Sequence, residues 1–160
     1  MRDFNLFHLT IITVCVLGLM TIVDYANACT CIPVTVSELV QRADIVFRGN
    51  IIDMHDVQTG VGSEIGMGVR KRVAVFRVKS VWKGDVGEIL EMPAIEKGGG
   101  TCLGFSKGLL EVGNELLVYA YRPKGSDDYF TNLCSHTSLA ARTKDFQELG
   151  PGREPRKTVN

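Results

Sequence analysis

The chain has 160 residues, 45% of them hydrophobic, with 18 basic side chains balanced by 18 acidic ones. That length suits one domain with a real core and does not stretch to two. Zero formal charge argues against a nucleic-acid binder held by phosphate contacts, and the hydrophobic share argues against a disordered chain.

The first feature is an apolar run, Leu9 to Val23, which is fifteen residues long. A membrane-spanning helix needs roughly 20 residues, so no membrane span is expected. The run ends in Asp24-Tyr25 and then Ala26-Asn27-Ala28, the small-x-small pattern of a signal-peptidase site. Residues 1–28 therefore read as a cleaved secretory signal, and the protein as secreted, extracellular or periplasmic. Cleavage removes Cys15, one of five cysteines, and leaves Cys29, Cys31, Cys102 and Cys134, with Cys29 as the first residue. Lipidation of that cysteine is a lesser alternative. Ala26-Asn27-Ala28 lacks the large aliphatic residue usual three positions before a lipidated cysteine.

After the rigid Cys29–Pro33 segment, Thr35-Val36-Ser37-Glu38 has capping-box spacing, and Val36, Leu39, Val40 and Ala43 follow at helical intervals. This predicts a short helix over 35–43. Residues 45–52 read as a strand rich in β-branched residues, with Gly49 marking a bulge or bend. The glycine-rich stretch 53–68 is expected to be a flexible hairpin loop. Residues 70–82 carry the longest strand signal. Ala74, Phe76, Val78 and Trp82 share one parity, and Val73, Val75 and Val81 the other. A turn at 83–85, a strand over 88–95 broken near Pro93, and a glycine-punctuated loop over 96–115 come next. Strands are predicted at 116–121 and 129–134, and a second helix over 138–149 that closes at Gly150. The tail 151–160, with two prolines and four charges, reads as disordered. Five strands with peripheral helices in a domain spanning 29–150 suit a small Greek-key barrel of OB type.

Enzyme signatures are missing. The sequence holds no H-E-x-x-H, G-x-S-x-G or G-x-G-x-x-G, and the P-loop spacing of Gly99 and Gly104 is followed by Phe105-Ser106 rather than Lys-Ser/Thr. His55 and His136 are too few for a histidine metal site, and Arg70-Lys71-Arg72 is best read as a solvated strand end. No enzyme activity and no cofactor are expected. Cys29-Thr30-Cys31 could be a redox or metal motif, but a bond between its two cysteines would close a strained, tiny ring. Four cysteines in a small exported domain read instead as two long-range disulfides, with each of Cys29 and Cys31 bonded to Cys102 or Cys134.

A processed Cys-Thr-Cys at the N-terminus resembles the tissue inhibitors of metalloproteinases and, more broadly, the netrin-type (NTR) modules. Phe76 to Gly84, ending in aromatic-Lys-Gly, is similar to a strand of that family. Thr101-Cys102, Leu116 to Ala120 and Thr131-Asn132-Leu133-Cys134 fall in the family's order. The resemblance covers residues 29–150 and is strongest to the short, single-domain bacterial members. It departs from the animal inhibitors in lacking a third disulfide and a C-terminal domain. It implies a five-stranded Greek-key OB barrel with bridges Cys29–Cys102 and Cys31–Cys134. It also implies a monomeric inhibitor whose partner is a zinc metalloprotease. The amino and carbonyl groups of Cys29 would chelate the target's catalytic zinc, and Thr30 would enter the S1′ pocket. Cys31, Ile32, Pro33, Thr101 and Leu103 would complete the inhibitory ridge. The alternative is a non-inhibitory NTR-type module of the cell envelope that binds a protein or glycan.

Overall fold

The computed structural model describes residues 29–59, 69–96 and 102–157. The expected signal segment 1–28 and the centre of the glycine-rich loop, 60–68, lie outside these residues. Helix α1 (Val36–Arg42) starts as its capping box dictates. The Thr35 hydroxyl accepts the Glu38 amide at 3.2 Å, and the Glu38 carboxylate accepts the Thr35 amide at 2.8 Å. Five antiparallel strands follow: β1 (Ile45–Thr59), β2 (Val69–Lys83), β3 (Ile89–Pro93), β4 (Glu115–Ala120) and β5 (Ser138–Leu139). Their order in the sheet is β3-β2-β1-β4-β5, so β1 is the central strand. A short helix, α2 (Phe146–Leu149), ends the domain at Gly150, whose φ is 65°. Over the described residues the protein is mostly β, with one five-stranded sheet and two short helices. Among the described residues no backbone pairing joins β3 to β5.

The sheet buries both faces, and the register decides which residue goes where. One face carries Ile45, Phe47, Ile51, Ala74, Phe76, Val78, Val81, Met92, Leu116 and Val118. It is capped by Phe105, Leu109 and Leu110 from the loop before β4. Phe76 packs edge-on against Phe47 at 5.4 Å and stacks on Phe105 at 6.2 Å. The other face gathers Val46, Leu117 and Tyr119 beneath Leu39 and Ala43 of α1, with Trp82, Phe146 and Leu149 packed around them. Strict alternation would put Trp82 on the face of Phe76 and Val78. The pairing steps from Gly49↔Val78 to Arg48↔Ser80, which leaves Lys79 as an extra residue in β2. That bulge reverses the parity, sends Val81 into the main core and frees Trp82 for the helix side. Gly49 faces the step because a Cβ there would lie 2.8 Å from the Arg77 carbonyl oxygen.

Trp82-Lys83-Gly84 then joins the layers. The Trp82 indole N–H donates to the Gly150 carbonyl at 2.9 Å. Lys83 Nζ caps α1 by donating to the Val40 and Gln41 carbonyls at 2.8 and 2.9 Å. Gly84 turns the chain at φ 77°, with no room for a Cβ beside the Asp44 carbonyl, 2.5 Å away.

Four expectations are corrected. The loop over 53–68 is shorter, because Asp53 to Thr59 continues β1 opposite Val69–Val75. These pairs carry little hydrophobic pattern and are joined by the backbone ladder and cross-strand charge, as in Asp56–Arg72 at 3.6 Å. The strand expected at 129–134 makes only isolated bridges, Tyr121↔Phe130 and Leu103↔Asn132. Asn132 breaks it by accepting the Cys134 amide on its side chain at 2.9 Å and the Ser135 amide on its carbonyl at 3.1 Å. The helix expected over 138–149 contracts to Phe146–Leu149, since Ser138–Leu139 pairs with β4 as the fifth strand. The tail is held rather than free. Arg153 exchanges both backbone hydrogen bonds with Val81, at 2.8 and 2.9 Å, and the Arg156 amide donates to the Val86 carbonyl at 2.8 Å. Residues 158–160 lie outside the described chain.

Candidate functional site

The segment Cys29–Pro33 has no regular structure, and disulfides hold it in place. Of the three pairings open to four cysteines, the structure contains Cys29–Cys102 and Cys31–Cys134, with Cα separations of 5.7 and 5.3 Å. This is also the pairing the resemblance implies. The two acceptor cysteines sit on one small platform. The Leu133 amide donates to the Cys102 carbonyl at 3.0 Å, and the Gly104 amide to the Thr131 carbonyl at 2.8 Å, so Cys102–Gly104 runs antiparallel to Thr131–Leu133. The Cys29–Pro33 segment is thus tied to both sides of this small ribbon.

Buried hydroxyls fix the platform from below. Thr131 lies 2.6 Å from the Ser135 hydroxyl and 2.7 Å from that of Thr137, and Thr137 accepts the Tyr119 amide at 3.1 Å. The tight chain path leaves His136 at φ 58°. Gly104 lies against the Ile95 backbone, where a Cβ would meet the carbonyl oxygen at 2.2 Å. The ribbon therefore joins the main sheet through β4 on one side and through the chain after β3 on the other.

The two bridged segments leave apolar side chains in water. Thr30, Cys31, Ile32 and Pro33 are exposed, Ile32 at 80%, and Leu103 is exposed at 43%. No charged side chain occurs in 29–34 or 102–106. Ile32 and Leu103 are large apolar side chains left in water on two segments that the Cys29–Cys102 bridge joins, and these segments make up the candidate ridge. The bridges hold Cys29 beside Cys102 and Leu103, and Cys31 beside Cys134, with Thr30, Ile32 and Pro33 on the same short segment, whereas Thr101 lies outside the described residues. Ala28 also lies outside them. Among the described residues no group of three or more His, Cys, Asp or Glu side chains is placed to hold a metal ion, and no helix is long and apolar enough to cross a membrane.

The two histidines singled out from the sequence each lie near a carboxylate. His55 approaches Asp53 at 3.0 Å on β1. His136 lies 3.8 Å from the Asp145 carboxylate, which also accepts the Tyr119 hydroxyl at 2.9 Å. Burial, then Asp145, pushes the Tyr119 phenol far above its ordinary range, so it stays a donor. Sequence reasoning missed the role of the tail, where Arg153 and Arg156 pair with β2 and the turn after it. Its only sequence signal is Pro151-Gly152, a chain reversal placed directly after α2.

No protein-family model matches this chain, and no curated protein matches it.

Proposed function

We propose that the protein is a secreted inhibitor of zinc metalloendopeptidases that acts by occluding the target's active site. The observation that carries this reading is the clamped ridge, an exposed, uncharged N-terminal segment held by two disulfides to a rigid ribbon. The finer fold reading goes with this proposal: a Greek-key OB-type barrel of NTR kind, supported by a strand order in which β1 lies between β2 and β4. Disulfides in a small domain suit an oxidising, extracellular-type compartment.

The chemistry follows from the end that signal cleavage would leave. Catalytic zinc keeps one position open, normally filled by water. An α-amine has an ordinary pKa of about 7.7–8.0 and gives up its proton to a metal near neutral pH. The amine and carbonyl of Cys29 form a bidentate donor pair, and the Cys29–Cys102 bridge fixes their direction before binding, which lowers the entropy cost of association. Thr30 then enters the S1′ pocket and sets selectivity. Cys31, Ile32, Pro33, Thr101 and Leu103 cover the rest of the cleft. The inhibitor carries no metal of its own, and one protomer suffices.

The test uses protein beginning at Cys29, beside a form with one extra N-terminal residue and a form acetylated at the α-amine, against a panel of zinc endopeptidases. The free-amine form inhibits. Both blocked forms lose roughly 100-fold or more in affinity, about 2.7 kcal/mol, with unchanged thermal unfolding. Equal inhibition by a blocked form overturns chelation by the N-terminus.

A second reading, a non-inhibitory envelope module, is favoured by the hairpin arm. Among the described residues β1 pairs from Asp53 onward only with β2, so the arm stands beyond β4 with a strand edge available to a protein or glycan. A panel of zinc proteases left unaffected by the free-amine form selects this reading.

A further inference from the structure

On the side of the sheet that β3 leaves open lies a cleft of about 560 Å³, between β3 and the turn that follows β4. Its lining includes Ile89, Leu90, Arg122, Tyr129, Arg156 and Lys157. No ridge residue takes part. We propose that this cleft binds a phosphate ester attached to an apolar body.

Three features of the lining support that ligand class. The cations are placed by the fold. The Arg122 guanidinium carbon sits 4.2 Å from the centre of the Tyr129 ring, and Tyr129 itself packs against the main core. The Arg122 amide is accepted by the Asp44 carboxylate at 2.6 Å. Stacking on a fixed ring leaves the edge of the guanidinium, with its fork of donors, free to face an anion. Arg156 and Lys157 come from the tail, whose backbone is paired at Arg156 to Val86 and Glu88 at 2.8 and 3.2 Å.

The charges are also only partly answered. Arg156 approaches Asp85 at 3.2 Å, and Asp85 lines the same cleft. Among the described residues no carboxylate lies within ion-pair distance of the Arg122 or Lys157 side chains. Three cations line the cleft against one lining carboxylate, Asp85, with the Asp44 carboxylate at the Arg122 backbone, so a positive excess remains. A phosphate monoester carries about −1.5 to −2 near pH 7 and offers three acceptor oxygens, which matches that excess better than a single carboxylate does. The third feature is apolar: Ile89 is 49% exposed at the cleft and Leu90 lies beside it. A bare phosphate leaves this surface wet, whereas an ester with an apolar body covers it. The cleft is open, so binding weakens as salt is added.

The same chemistry occurs in a soluble phosphomonoester and in a lipid headgroup. The intact, oxidised protein is titrated with octyl phosphate below its micelle concentration, with inorganic phosphate and with octyl glucoside, and followed by amide chemical shifts. Octyl phosphate binds roughly tenfold or more tighter than either control, with shifts centred on residues 85–90, 121–130 and 153–157. R122Q and K157Q each weaken it several-fold, and K157Q leaves thermal unfolding unchanged, so its loss of binding cannot come from misfolding. Equal binding of octyl glucoside, wild-type binding by K157Q, or shifts centred elsewhere overturns the proposal. Vesicles of phosphatidic acid in phosphatidylcholine then separate the sources. Cosedimentation that K157Q weakens identifies a headgroup, and binding of octyl phosphate without cosedimentation identifies a soluble ester. Protease inhibition is unchanged in both variants, so this proposal and the inhibitory one fail separately.

Discussion

Glu115 accepts from two cations at once: Arg48 Nη2 at 2.7 Å on one oxygen and Lys79 Nζ at 2.6 Å on the other. Lys79 is the bulged residue of β2, so the irregularity that re-aims Trp82 also supplies one half of this cluster. Chiefly through the Arg48 hydrogen bond, and with Lys79 adding to it, the carboxyl is held below its ordinary value of 4.5 against the opposing effect of burial. A carboxyl whose folded value lies below its unfolded one stabilises the protein above the unfolded value and ceases to do so as pH falls through the folded one. We therefore expect E115Q to cost about 1–2 kcal/mol at pH 7. The gap narrows as pH falls below 4.5 and closes once pH has passed the lower folded value, where the Glu115 carboxyl is neutral as well. Urea unfolding at pH 7 and at acid pH measures both points, and a gap that survives in acid would assign the loss to packing instead. Tyr119 makes a simpler case. Its hydroxyl donates to Asp145 at 2.9 Å, and Y119F should lower stability by about 1 kcal/mol in the same assay.

At the scale of elements, the step opposite Gly49 is a constraint that no side-chain adjustment can relieve, because the near atom is the backbone oxygen of Arg77, 2.8 Å from an added Cβ. G49A should therefore cost about 1–3 kcal/mol, read as a lower melting temperature. The tail gives the companion prediction. Ending the chain at Gly150 removes the paired backbone bonds of Arg153 with Val81 and of Arg156 with Val86 and Glu88, and uncovers Trp82 where Gly152 lies against its ring. The expected loss is about 2–4 kcal/mol, with the Val81 amide losing its protection from hydrogen exchange. These elements also mark what the sequence could reveal. Capping-box spacing set α1 to within a residue at each end, and an irregularity at Gly49 was legible because glycine inside a β-branched run has few other uses, although the extra residue, Lys79, lies in the partner strand. Four cysteines announced two bridges but left their partners open. The tail and the far half of β1 were missed for one reason: backbone pairing and cross-strand charge hold them, and neither writes a hydrophobic period into the chain. The strand expected at 129–134 failed the opposite way, since β-favouring side chains there were overruled by the Asn132 turn. Of the candidate site, the exposure of Ile32 and Leu103 and the ribbon that carries Cys102 needed the fold.

At the scale of the whole molecule, the two disulfides interlock, and this governs how the protein responds to losing either. Their sequence separations are 73 and 103 residues, and taken singly each closes a loop worth about 4–5 kcal/mol in the chain-entropy account. Neither is single in the native chain. With Cys29–Cys102 closed, the path from Cys31 to Cys134 runs two residues back, across the bridge, and 32 residues on. With Cys31–Cys134 closed, the path from Cys29 to Cys102 is the same length. Each bridge, added to the other, therefore closes about 34 residues and contributes about 4 kcal/mol whichever is added last. C29A/C102A and C31A/C134A should lose nearly equal stability despite their unequal separations, and removing all four cysteines should lose roughly 8–9 kcal/mol, comparable with the whole stability of a small domain. Denaturant unfolding of the three variants tests this, and a cost that follows sequence separation would refute the shared path. The same variants divide stability from the proposed function. C29A/C102A releases the terminal amine from the ribbon, whereas C31A/C134A leaves it clamped, so equal losses in stability should accompany unequal losses in inhibition, the larger belonging to C29A/C102A. Inhibition lost equally in both would mean that the bridges serve only the fold, and that the direction of the Cys29 amine is not set by its disulfide.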